Sequence, residues 1–178
     1  MDGPKTAGQA KDPVGNQGAA MELSARTGMH ERPAQLFFDL TRRLKTRFEI
    51  SRGVLLLRSG IGGPLAAVST WNNGQMREGL AIKLPSESSL FEKVAECGRV
   101  YTENFCGAFS GNFFERKLLV DEGSRSFVLQ PLCHQGEVIG MIGYSSESPT
   151  AFTLFEEGAM DNLLAEFASV LRDQPWSA

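Results

Sequence analysis

Two stretches near the C-terminus carry apolar residues at both parities. Phe127-Val128-Leu129-Gln130-Pro131-Leu132 and Val138-Ile139-Gly140-Met141-Ile142-Gly143-Tyr144 lack the apolar–polar alternation of a strand with one wet face. They predict strands over Ser126–Leu132 and Val138–Tyr144 in the middle of a sheet covered on both sides. Gln135-Gly136 supplies the turn between them, because glycine takes positive φ without penalty. A helix follows from about Thr153, where Thr153 and Glu156 have capping-box spacing. Its apolar positions Phe155, Ala159, Leu163, Phe167, Val170 and Leu171 recur at helical intervals.

Upstream, Pro33 suits a first helical position, and Leu36, Phe37, Leu40, Leu44 and Phe48 mark one apolar helix face. Arg52–Arg58 reads as a buried strand around Val54-Leu55-Leu56-Leu57, and Leu65–Trp71 as a second, ended by the turn Asn72-Asn73-Gly74. Leu80, Ile82 and Leu84 alternate with Ala81 and Lys83, which predicts a half-exposed third strand towards an edge. A capping box at Ser89 and Glu92 opens a second helix that ends at Gly98. Val100–Phe105 reads as a short strand, and Asn112 caps a short helix through Val120.

The sum is one α+β domain over 33–172. A central antiparallel sheet of five or six strands carries the N- and C-terminal helices on one face, and a helix/loop lid over 86–123 on the other. Residues 1–32 are rich in Gly, Ala, Gln, Lys and Asp and nearly free of aliphatic groups before Met21, so they read as a disordered leader. Residues 173–178 read as a tail.

Composition narrows the classes. A net charge of −3 offers no basic field for nucleic acid. Arg42, Arg43, Lys45 and Arg47 complement the end of the first helix. Cys97, Cys106 and Cys133 form an odd set without a CxxC pair, which suits a reducing compartment. Without a membrane-length apolar run or a signal-peptide pattern, the expectation is a cytoplasmic protein with no membrane contact.

The run Pro131-Leu132, Gly136-Glu137-Val138-Ile139-Gly140, Ser148-Pro149, Ala151-Phe152-Thr153, Leu163-Leu164 and Phe167-Ala168 resembles the C-terminal half of a GAF domain. The order of elements fits that family from about Ala34 to Arg172. The resemblance implies a small-molecule pocket between the sheet and the lid. Phe105, Phe109, Phe113 and Phe114 are candidates to line it, with Phe127 and Trp71 from the sheet and Tyr101 or Asn104 as polar anchors. The alternative is that these aromatics fill a second core and leave no cavity. Gly140 and Gly143 mark close packing of a helix or room for a ligand.

Sharper chemistry finds less support. Phytochrome-type GAF domains attach a bilin at a Cys-His pair in a helix before the central hairpin, whereas Cys133-His134 falls at the hairpin turn. His30 and His134 are the two imidazoles of the chain, too few for a metal centre, and no cofactor is evident. Asn112, Lys117, Asp121 and Glu122 share residue types with the cyclic-nucleotide motif of phosphodiesterase GAF domains, but not its spacing. They read as exposed charges. Free methionine-R-sulfoxide reductase, a GAF-fold enzyme, uses cysteines in sequence contexts that Cys97, Cys106 and Cys133 do not reproduce.

The expectation is a sensory or regulatory module in signal transduction without catalysis of its own. It would bind a small ligand or a signalling partner and report by population shift. A pocketless module for protein–protein contact is the alternative, and the reductase a more distant one. Met160, Leu164 and Ala168 widen the apolar stripe of the last helix, which suits a homodimer through the first and last helices.

Overall fold

The computed structural model describes residues 32–172 apart from 61, 79, 105–108, 157 and 159. The leader, the tail, Phe105, Cys106 and Ala159 lie outside the described residues. Helix α1 covers 32–44. Strands β1 (Arg52–Arg58), β2 (Leu65–Asn72), β3 (Gln75–Arg77) and β4 (Ile82–Lys83) follow, then α2 (Leu90–Cys97) and β5 (Tyr101–Asn104). The chain continues with α3 (Phe113–Leu119), β6 (Ser126–His134), β7 (Glu137–Ser146), α4 (Thr153–Glu156) and α5 (Asp161–Arg172). No helix among the described residues is long and apolar enough to cross a membrane.

The sheet is antiparallel, in the order β3-β2-β1-β7-β6-β5, and β4 shares the outer edge of β2 with β3. The apolar hairpin β6–β7 lies inside the sheet, with β7 against β1 and β6 against β5. Its turn places Gln135 at φ 51° and Gly136 at φ 83°, the doubly left-handed geometry of a two-residue hairpin. The Gln135 side-chain carbonyl accepts from Arg172 Nη1 at 3.0 Å, which ties this turn to the end of α5.

Side chains of alternating parity feed two cores. On one face Phe37, Leu40 and Leu44 of α1 and Leu164, Phe167 and Leu171 of α5 pack on Leu55, Leu57, Val128, Leu132, Ile142 and Tyr144. On the other, α2 and α3 bring Leu90, Phe91, Val94 and Leu119 onto Val54, Leu56, Phe127, Leu129 and Met141. Burying apolar area is the main favourable term in folding, and here it acts on both faces at once. Inside the first core the Thr41 hydroxyl donates to the Phe37 carbonyl at 2.7 Å, so Tyr144, 2.9 Å away, donates to Thr41. Burial holds the Tyr144 phenol well above its ordinary pKa.

Three details depart from the sequence expectation. The last helix is two, α4 and α5, because Gly158 enters the left-handed region at φ 70°. Thr153 is the first residue of α4, and its hydroxyl donates to the Thr150 carbonyl at 3.1 Å. It therefore works as a tether to the preceding turn. The edge gains β3 directly after the Asn73-Gly74 turn, and the predicted 80–84 strand is regular only over Ile82–Lys83.

Both hairpin glycines are sites of close approach. A Cβ on Gly143 would lie 3.1 Å from Leu119 of α3, Leu129 and Val54. A Cβ on Gly140 would fall on the Leu56 carbonyl oxygen of the neighbouring strand. Backbone cannot retreat as a flexible side chain does. Gly140→Ala is therefore expected to cost about 2–3 kcal/mol, read as a lower urea midpoint at unchanged slope.

Candidate functional site

The lid face meets the aromatic residues first. Phe127 is fully buried, with the Phe109 ring 5.2 Å and the Tyr101 ring 5.9 Å from it. The Tyr101 hydroxyl donates to Glu103 Oε2 at 2.8 Å, and Ser110 donates to the same oxygen at 3.1 Å. Burial raises the Tyr101 pKa; the Ser110 bond opposes this and the Glu103 carboxylate adds to it. These three aromatics thus meet in the second core, with the phenol already engaged.

The remaining predicted residues disperse. Asn104 is exposed at the end of β5. Phe113 and Phe114 point outward from α3, 67% and 51% exposed, in edge-to-face contact with each other. Trp71 lies on the opposite face: it is buried in the α1/α5 core with Lys45 Nζ 4.5 Å over its ring. The physical reason is register. Trp71 stands opposite Gly53, whose parity faces the terminal helices, so its ring packs in that core, although the residue also borders the cleft beneath α3.

Helix α3 is held over the sheet by one buried carboxylate. Ser89 caps α2 by accepting from Glu92 N at 2.9 Å, as its spacing predicts. The acid that completes the site is Glu115 of α3, fully buried. Its Oε1 accepts from the Ser89 hydroxyl at 2.5 Å and from Phe91 N at 2.8 Å. Its Oε2 accepts from Leu90 N at 3.1 Å and Asn112 N at 2.9 Å. The free first-turn amides and the positive end of the α2 dipole offset the cost of burying this charge. Asn112 caps α3 in turn, accepting from Glu115 N at 3.0 Å. Glu92 is thereby released to pair with Arg58 at 2.9 Å and to accept from Leu65 N at 3.1 Å.

The other end of α3 is seated on the sheet. Ser145 Oγ donates to the Leu119 carbonyl at 2.6 Å, and Arg52 Nη1 to the Val120 carbonyl at 2.8 Å. Between this helix and the β2–β3–β4 corner lies a cleft of about 300 Å³. The register determines its floor, since directly paired residues share a face. Arg52 stands opposite Asn72 and Asn72 opposite Gln75, while Val54 stands opposite Thr70 and Thr70 opposite Arg77. Both rows project to the lid side, where Lys117 and Leu118 of α3 form the roof and Leu80 and Ile82 one wall.

Sequence reading passed over Arg52, Thr70 and Arg77, although a signal for them was present. A two-residue turn at Asn73-Gly74, seen here at φ 45° and φ 92°, forces the pairings 72 with 75 and 70 with 77. Lys117 and Asp121 are exposed as expected, and Lys117 also lines the cleft while Asp121 lies 3.9 Å from Arg52.

Cys97 ends α2 and Cys133 lies at the end of β6 just before the turn; both are exposed. Although Cys133 is exposed, the protein around its thiol partly desolvates it and raises its pKa, opposite to what an activated nucleophile needs.

Comparison with known proteins gives a consistent answer. The sequence matches the GAF domain family over residues 32–171. No curated protein matches it. Among solved structures, the GAF domain of a two-component sensor histidine kinase from Bacillus halodurans is similar at 15% identity and a TM-score of 0.63, covering 78% of this chain and 92% of that one. The type II free methionine-R-sulfoxide reductase of Thermoplasma acidophilum is similar at 16% identity and a TM-score of 0.62, covering 84% and 99%. The GAF domain/HD domain protein of Geobacter sulfurreducens follows at 15% and 0.58, covering 85% and 97%. At such identities these likenesses speak for the fold alone.

Two outcomes test the local chemistry. Glu115→Ala strands four donors and is expected to destabilise the domain by about 3 kcal/mol or more in urea denaturation, with Glu115→Gln intermediate. Site-resolved alkylation followed by mass spectrometry should show Cys133 reacting more slowly at neutral pH than an unstructured peptide thiol, because less of it is thiolate.

Proposed function

The chain belongs to the GAF domain family, and on that footing we propose that it is a sensory module binding a small molecule beneath α3. GAF domains commonly serve as sensory or regulatory parts of histidine kinases and similar proteins. The observation that carries the reading is the cleft itself. It lies between a helix and the sheet, and its lining combines several polar side chains with apolar ones. A ligand touching both α3 and the β2–β3 corner favours the arrangement in which the two are close. Strand β1 carries Arg52 and Val54 on the lid side and Leu55 and Leu57 in the α1/α5 core, so a displacement of the strand is felt on both faces. In this reading the domain performs no catalysis of its own, and its output passes to a signalling partner.

One observation favours contact between copies as a second reading. A groove between α1 and α5 is lined by Leu36, Leu40, Leu163, Phe167 and Val170 together with Asp39, Arg43 and Glu166, and Val170 is 40% exposed. A homodimer through the terminal helices would cover it.

A thermal-shift screen against a metabolite library tests the sensor. Saturable stabilisation is expected, about 2.7 kcal/mol at a ligand concentration a hundred times Kd. It should vanish in Thr70→Trp, which fills the cleft. No hit among neutral, cationic and anionic compounds, or a hit that survives Thr70→Trp, overturns the reading in favour of a contact module.

A further inference from the structure

Resting on the reading above, we infer that the ligand is a small organic anion whose charged head is a dianion of the phosphate-monoester type. The floor and roof of the cleft bring together Arg52, Arg77 and Lys117 in a chain whose net charge is −3. Arg52 is the most committed of them. It donates to the Val120 carbonyl and has Asp121 at 3.9 Å. Arg77 and Lys117 have no carboxylate within ion-pair distance among the described residues; Lys117 lies 5.6 Å over the Phe113 ring instead.

Cations held close together without counter-charges repel one another, and an anion between them relieves that repulsion. Two charges in surplus over the one acid match a dianion better than a monoanion. Guanidinium groups present planar forks suited to phosphate or carboxylate oxygens, and a lysine adds a point charge. Thr70 and Asn72 add neutral hydrogen-bonding groups to the same floor. Opposite them, the half-exposed Ile82 and the neighbouring Leu118 offer apolar contact to an organic body. The same lining thus offers charge to the head group and apolar surface to the body of the ligand.

The test is an amide-resolved NMR titration of the full chain with phenyl phosphate, benzoate and benzyl alcohol, which share a ring and differ in charge. Phenyl phosphate is expected to shift the amides of Thr70, Arg77 and Leu118 and to bind about tenfold more tightly than benzyl alcohol. Benzoate should fall between them, and added salt should weaken both anions but not the alcohol. Arg77→Gln and Lys117→Gln, both at exposed positions, should each weaken phenyl phosphate about tenfold without lowering the melting temperature of the free protein. Equal binding of all three compounds at these amides overturns the anion assignment and leaves the small-molecule reading standing. Absence of any shift at the cleft also overturns the assignment, while the metabolite screen decides the wider reading independently.

Discussion

A strand can bury both of its faces only if something covers each of them, and β1, β7 and β6 are apolar at both parities. The fold follows from that constraint. One cover is α1 with α5, the other α2 with α3, and the two cores touch only through the pleat of the sheet. Parity therefore assigns most buried residues of these central strands to one core or the other. Neighbours in sequence such as Thr70 and Trp71 diverge: Thr70 belongs to the row on the lid side, while the Trp71 ring packs in the α1/α5 core.

The lid is the less self-sufficient of the two covers. Helix α3 is short, and Phe113 and Phe114 on it face solvent, so apolar burial alone does not fix its place. Polar bonds do so at both ends. Glu115 accepts from the first turn of α2, and carbonyls at the far end accept from Ser145 and Arg52. A helix held by directed bonds at its ends can bridge a gap that a helix held by packing would close. The cleft beneath α3 lies where the lid-side core gives out towards the β2–β3–β4 corner.

That arrangement links the architecture to the proposed sensing role. The same helix roofs the cleft, closes the second core with Leu119 and rests on β1 and β7. A ligand bound there, as proposed, would act on strands whose other face supports the terminal helices. The methionine sulfoxide reductase among the structural neighbours shows how little the scaffold constrains chemistry.

Short-range pattern sufficed for the elements and for their two-faced arrangement. The doubly apolar hairpin, the Gly136 turn, the Asn112 cap and the amphipathic first and last helices are each local signals, readable because strand and helix periods act over a few residues. The partner of Ser89 was not local. Glu92 has capping-box spacing, yet Glu115 from another helix occupies the place, since only the folded chain shows which carboxylate can reach the free amides. The site differed in the same way. Aromatic clustering pointed to Phe113, Phe114 and Trp71, but helix rotation and strand register turn these outward or to the opposite core. Arg52, Arg77 and Lys117 are scattered in an acidic sequence and become neighbours only when cross-strand pairing and the seating of α3 bring them to one corner. Periodicity is a property of neighbouring residues, whereas the convergence of charge depends on distances that only the folded chain creates.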